Sequence, residues 1–389
     1  MSVYDELGVR RVVNGFATLT RLGGSLMPQP VLTAMIEAAS SYVDLEELQQ
    51  RVGEAIAEMT QNEAAFVSCG AAAGIVLATA ACLTDLDPER RRRLPQTDDF
   101  PRNEVIVFEC HRIEHEFSIR QAGGKLRPVG RLEGVTPEEL EAGITDRTAA
   151  VFVAPQGEGP PGLLPVPQIV EVAHRYGVPV IVDAAAQLPP PENLWRFTRD
   201  YGADVAIFSG GKGLCGPQTT GLILGRAEII RACAFNACPH PYIGRPMKVG
   251  KEELAGIYAA VKWYLSLDHE ALMASYEAMV QHFIEAFAGF EGVQVLRDFP
   301  SEAGQPMPRA LLLLDEDRLG IRRDELLAAL RSESPAIELA PAERPDGIYV
   351  NPQTLRPGEE RLVSSRLMRI FLTRQLRAFQ EEQRRDREP

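Results

Sequence analysis

The chain has 389 residues, 45% hydrophobic and 24% charged, with a formal net charge of −13 at pH 7, a make-up that suits one large α/β domain plus a smaller one. The acidic balance argues against a nucleic-acid backbone as partner. No apolar run reaches the roughly 18 residues of a membrane span, and the N-terminus lacks a basic region followed by an apolar one, so no membrane partner and a cytoplasmic location are expected. Six cysteines without a CxxC pair imply buried thiols rather than a disulfide framework or a zinc knuckle.

Residues 11–15 predict a short strand, and residues 18–25 a glycine loop, either a connector or a lip of the site, before a helix near Pro30. Residues 44–59 carry apolar side chains at a helical period behind Asp44. Residues 64–68 then read as a strand, and Cys69-Gly70-Ala71-Ala72 opens an apolar helix to about Leu83. A strand, a small-residue turn and a helix N-terminus make an anion site, because free N–H groups and the helix dipole point outward. A tightly packed Ala/Gly helix is the alternative.

Residues 105–108 predict a strand, followed by His111-Arg112-Ile113-Glu114-His115. This His-x-x-Glu-His spacing matches an inverted zinc-peptidase motif, which requires a helix. It follows a strand end directly, and no third ligand stands out, so no metal is expected. His111 is instead expected to stack on a cofactor ring or act as acid and base, and His115 to be a surface residue. A strand at 125–129, a capping box at Thr136 and Glu139, a buried strand at 149–154 and a helix at 166–176 continue an alternation typical of a mostly parallel sheet covered on both faces.

Residues 178–183 form a buried strand ending in Asp183, the position where open α/β sheets place ligands. A carboxylate there can keep the pyridine nitrogen of pyridoxal 5′-phosphate (PLP) protonated; a simple cap is the bland reading. Residues 204–208 lead into Ser209-Gly210-Gly211-Lys212-Gly213. An amine in such a bare, partly desolvated turn loses some preference for its charged form, as an imine-forming lysine requires. Lys212 is therefore the candidate for the covalent link to PLP, with Cys69, Gly70, Ala71 and the Ser209 hydroxyl around the phosphate. Gly211, Gly213 and Gly216 also match a dinucleotide fingerprint, but Pro217 and a strand at 221–225 follow where that motif needs a helix. Beyond Lys251, long helices, strands at 293–296, 310–314 and 347–350, a last helix from Pro357 and a frayed tail at 380–389 are expected.

These residues resemble the fold-type I PLP enzymes, with an aspartate aminotransferase-like architecture. More closely, the chain is similar to the branch holding selenocysteine synthase (L-seryl-tRNA selenium transferase) and D-glucosaminate-6-phosphate ammonia-lyase. The resemblance rests on Asn14-Gly15, Thr20-Arg21-Leu22-Gly23-Gly24-Ser25, Gly70-Ala71-Ala72, Arg120-Gln121-Ala122-Gly123-Gly124, Val182-Asp183, and Ser209-Gly210-Gly211-Lys212 through Gly216-Pro217-Gln218. It implies a large PLP-binding α/β domain (46–250), a small C-terminal α+β domain (251–389) and an N-terminal segment (1–45) packing on the small domain and the site lip.

The resemblance further implies a homo-oligomer with interfacial sites, cofactor contacts from Gln187, and substrate contacts from Thr20, Arg21, Arg245 and Lys248. Two departures speak against seryl-tRNA as substrate: the shared region starts almost at Met1, and the family's Arg-x-x-Arg falls on Arg245-Pro246-Met247-Lys248, a fork replaced by a point charge. The expected reaction starts with α-proton removal from a small, hydroxylated or phosphorylated amino acid. Loss of water, followed by release of ammonia as a water hydrolyses the product imine, then gives a 2-keto acid, with His111 or His115 protonating the leaving oxygen. Racemisation, aldol cleavage or selenium transfer are the alternatives.

Overall fold

Strands that are apolar at successive positions need cover on both faces. A computed structural model describes residues 2–157 and 160–385. Its strands, in chain order, are β1 (Val12–Gly15), β2 (Ala64–Ser68), β3 (Glu104–Phe108), β4 (Lys125–Val129), β5 (Thr148–Val153) and β6 (Val180–Asp183), then β7 (Val205–Ser209), β8 (Gly221–Gly225), β9 (Val293–Asp298), β10 (Arg309–Leu314), β11 (Ala336–Pro341) and β12 (Gly347–Val350).

Seven strands form one sheet in the order β2-β8-β7-β6-β5-β3-β4. From β7 to β4 every pair is parallel, while β8 runs antiparallel to both of its neighbours. Alternate residues serve opposite faces, as the two-residue period demands. Val151, Val182 and Phe208 join one apolar cluster; Phe152, Ile181 and Ile207 join another. All five parallel strands therefore end along the same edge.

The chain divides into a larger unit, residues 25–267 with 302–305, and a smaller one, residues up to 24, 268–301 and from 306 on. The expected boundaries at 45/46 and 250/251 thus fall inside the larger unit. The reason is local: the helix Gln29–Ala39 packs on the helix Lys251–Leu265. A Cβ on Gly256 would lie 2.9 Å from Met35 Cγ, and Lys251 Nζ donates to Ala38 O at 2.6 Å.

The smaller unit carries a five-stranded sheet, β1-β11-β12-β10-β9, over its own core around Phe283, Leu312 and Phe371. Strand β11 and the helices Ala227–Asn236 and Arg323–Ser332 were not expected from the sequence. The last helix spans Glu359–Arg385, so the tail expected to fray from residue 380 is helical to Arg385; residues 386–389 lie outside the described ones. Among the described residues no helix is long and apolar enough to cross a membrane.

Candidate active site

Strands β6 and β7 lie side by side, with Asp183 in register with Ile207, and Ala184 N donates to Ile207 O at 2.9 Å. Asp183 therefore closes β6 at the edge where β7 runs into the turn that carries Lys212. The carboxylate is 7% exposed and accepts from Ala185 N at 3.1 Å. Burial pushes its pKa up, opposed by that N–H, by His115 and by Lys212. Burial pushes the Lys212 amine down, opposed by Asp183 and by Glu302. Both groups are thus moved toward their neutral forms, the direction desolvation dictates.

The glycines of the turn are required by close approach. A Cβ on Gly211 would sit 2.5 Å from Gln218 Cα, and one on Gly213 2.5 Å from Leu188 O. Gly216 N donates to Gly210 O at 2.8 Å and Cys215 N to Lys212 O at 3.0 Å, while Ser25 N closes on Gly211 O at 2.9 Å. Cys215 takes φ +52°, a left-handed conformation that disfavours side chains. No helix follows these glycines before β8, which removes the premise of the dinucleotide fingerprint.

The helix Gly70–Thr84 starts at the same edge. Gly70 has φ +85°, and the preceding Cys69 makes no side-chain cap, so the first N–H groups have no side-chain acceptor. A Cβ on Gly221 would lie 2.5 Å from Gly70 C and 2.7 Å from Ala71 N. Gly221 is the sheet partner of both Ser209 and Ser68. Cys69, Gly70, Ala71 and Ser209 are thereby gathered around one uncapped helix end. The alternative of tight packing holds further along the same helix, where a Cβ on Gly74 would meet Ile207 Cγ2 at 2.8 Å.

His111 and His115 do not share a helix face. They lie in two short 3₁₀ turns, Glu109–His111 and Glu114–Glu116, with Arg112 and Ile113 extended between them; the helical premise of the zinc motif is absent. Arg112 stitches the two turns together, donating to Glu116 from Nε at 2.9 Å and Nη2 at 2.8 Å and to Glu109 from Nη1 at 3.1 Å. His111 Nε2 is buried without a hydrogen-bond partner. His115, expected to be a plain surface residue, is exposed yet lies within electrostatic reach of Asp183.

Gln187, expected at the cofactor, is buried beside the strand end that carries Asp183. Its amide oxygen accepts from Gly157 N at 3.1 Å and its nitrogen donates to Ala303 O at 2.9 Å, which leaves one lone pair and one N–H of the amide uncommitted by these two bonds. Thr20 and Arg21 belong to the smaller unit, where Arg21 pairs with Glu338 at 3.1 Å. Arg245 and Lys248 are exposed on a turn held by Arg245 N to Tyr242 O and Met247 N to Gly244 O, both 2.9 Å. Glu302, whose charge acts on Lys212, was missed; it sits in a polar Pro/Gly stretch with no pattern to mark it.

A desolvated amine, a carboxylate one strand away, an uncapped helix end and an orphaned imidazole nitrogen suit a flat phosphate-bearing aldehyde such as PLP. A protein-family model described as Aminotransferase class-V matches residues 25–240. The 5′-C-glycyluridine monooxygenase-decarboxylase of a Streptomyces species is 34% identical over 381 residues, covering 95% of this chain and 92% of that protein. The D-glucosaminate-6-phosphate ammonia lyase of Salmonella typhimurium is 31% identical over 375 residues, covering 95% and 98%. A solved structure of D-glucosaminate-6-phosphate ammonia-lyase superposes with a TM-score of 0.84 at 30% identity, covering 96% of this chain and 99% of that one.

Proposed function

This chain belongs to the class-V aminotransferase family of fold-type I PLP enzymes, and we propose that it removes the α-proton of a small hydroxylated or phosphorylated amino acid and releases a 2-keto acid and ammonia. The activity named for the Salmonella relative supports this reading. The observation that carries it is the placement of Lys212 and Asp183 on the adjacent carboxyl ends of β7 and β6.

PLP, when bound, supplies an electron sink for the charge left at the α-carbon. In the proposal Lys212 would hold the cofactor, and its amine would take the α-proton, a task suited to an amine whose pKa burial has lowered. Asp183 pairs with the ring nitrogen. The helix end at Gly70 and Ala71, with Ser209, receives the phosphate. His115, through its proximity to Asp183, is assigned to the ring face. His111, with its unpartnered Nε2, is assigned to protonating the leaving hydroxyl. Arg245 and Lys248 are proposed to hold a substrate phosphate or carboxylate.

We also propose a cytoplasmic homo-oligomer without a nucleic-acid partner. The fully exposed Tyr42, with Ile36 at 70% and Val43 at 52%, supplies an apolar strip that a second copy would cover.

The test is a visible-absorbance screen of the PLP-loaded protein against D- and L-amino acids and amino-sugar acids, with ammonia and keto-acid detection. Matched release of both products from a hydroxylated substrate is expected. Racemised or aldol-cleaved product would replace the proposed reaction, and oxygen uptake with CO2 release would move it toward the chemistry named for the Streptomyces relative.

A further inference from the structure

The helix Pro88–Arg93 of the larger unit ends in four consecutive arginines. Three of them meet carboxylates: Arg90 with Asp87 at 3.4 Å, Arg92 with Glu89 at 2.7 Å, and Arg93 with Asp99. Arg91 turns inward instead and is 9% exposed. Its Nε is buried without a hydrogen-bond partner, and its guanidinium carbon lies over the Phe235 ring, 4.0 Å from the centre, and over the Tyr242 ring at 3.9 Å. Burial pushes its pKa down, opposed by Tyr242. A planar cation is attracted to the negative face of each ring, and more strongly where water is kept away.

The two rings belong to the two ends of one loop. Gly244 N donates to Asn236 O at 3.1 Å, and a Cβ on Gly244 would lie 2.5 Å from that oxygen and 2.7 Å from Ala237 Cα, so the chain closes on itself between residues 236 and 244. Phe235 lies in the last turn of the helix Ala227–Asn236, just before the closure, and Tyr242 stands just inside it. From Tyr242 the tie passes directly to a charged residue. Arg245 N donates to Tyr242 O at 2.9 Å, and Met247 N to Gly244 O at 2.9 Å. Ile243 and Met247 pack against the cluster that holds Val76 and Leu83 of the helix Gly70–Thr84. Arg91 therefore pins the base of the loop that leads into Arg245 and Lys248.

We propose that Arg91 is the positioning residue of this loop, fixing Arg245 and Lys248 in one arrangement so that an anionic group of the substrate, above all a phosphate, meets both. The proposal rests on the reading that Arg245 and Lys248 hold the substrate anion. A guanidinium offers a planar fork and an ammonium a point charge, so a joint grip depends on the backbone between them being held in place before the anion arrives, which removes an ordering cost from binding. Arg91 itself does not reach the ligand in this proposal; it acts through Tyr242. Lysine in its place keeps the charge but has no flat face to lay on two rings.

The experiment uses the full-length PLP-loaded protein and follows its visible band during titration with two pairs of probes: O-phosphoserine against serine, each in D and L form, and D-glucosaminate 6-phosphate against D-glucosaminate. Wild type should half-saturate at lower concentration with the phosphorylated member of a pair. Arg91→Met should raise that concentration about tenfold and leave the unphosphorylated value within about twofold, with Arg91→Lys between Arg91→Met and wild type. Tyr242→Phe, which keeps the ring, should match wild type. Tyr242→Leu should match Arg91→Met, and the two losses should fail to add in the double variant, because both remove the same contact. Tyr242→Leu carries the test alone if Arg91→Met does not fold. With Arg245→Ala showing its own loss for the phosphorylated probe, an unchanged value in the Arg91 and Tyr242 variants, equal losses for both members of a pair, or additive losses overturn the proposal and leave the anion-holding role of the loop intact. If Arg245→Ala has no effect, or wild type does not distinguish the members of either pair, that role falls and the proposal falls with it.

Discussion

Arg112 grips Glu116 through two of its nitrogens, at 2.9 and 2.8 Å, and Glu116 keeps only 6% of its side chain exposed. The pair closes the loop that carries His111 and His115. Removing the guanidinium leaves the buried Glu116 carboxylate with only the Ile113 N–H, at 3.2 Å, so Arg112→Ala should cost about 1–3 kcal/mol of stability. Arg112→Lys, which keeps the charge but loses the fork, should cost clearly less. Urea unfolding of the three proteins checks this ordering.

Gly221 lies under the helix end at Gly70 and Ala71. A methyl group there must push the helix N-terminus away from Ser209. Gly221→Ala should weaken PLP binding at least about tenfold, the equivalent of one charge-assisted hydrogen bond, and leave binding of pyridoxal, which lacks the phosphate, nearly unchanged. Equilibrium dialysis with both ligands separates a phosphate effect from a general loss of structure.

Asp183 carries a pKa raised by burial. A carboxyl raised on folding favours the native state below its unfolded pKa, and that contribution is lost as pH climbs through the folded value. Cofactor-free Asp183→Asn should therefore match wild type in melting temperature near pH 3.8 and below, and exceed it increasingly as pH rises toward neutrality. The same substitution should abolish turnover. Thermal melts from below pH 3.8 up to neutrality and a single activity assay provide the two readouts.

Arg245 and Lys248 stand exposed, and no carboxylate is bonded to either among the described residues. Replacing either by alanine should change stability by no more than about 0.5 kcal/mol. If they hold an anionic group of the substrate, KM for a phosphorylated substrate should rise about tenfold or more with little change in kcat. Equal losses for phosphorylated and unphosphorylated substrates would remove that role.

What could be read locally was read well. The capping box at Thr136 and Glu139 closes within four residues, with Thr136 N donating to Glu139 at 2.9 Å, and Asp44 caps its helix by accepting from Glu47 N at 2.9 Å. Asp183 and Lys212 were legible because strand ends and bare glycine turns have their own signatures. Strand β11 was not, since it carries Glu338 in its interior; that acid is tolerated because Arg21, far away in sequence, pairs with it at 3.1 Å. The bonds that Gln187 makes and the charge of Glu302 escaped for the same reason. Their partners, Ala303 and Lys212, become neighbours only after folding.

The central claim is the covalent seat of the cofactor. The protein is reconstituted with PLP, reduced with borohydride, digested and sequenced by mass spectrometry. The account predicts a reduced pyridoxyl-phosphate adduct on the peptide containing Lys212, and a Lys212→Ala protein that traps none. An adduct on another lysine, or a colourless wild-type protein with no adduct, would contradict it.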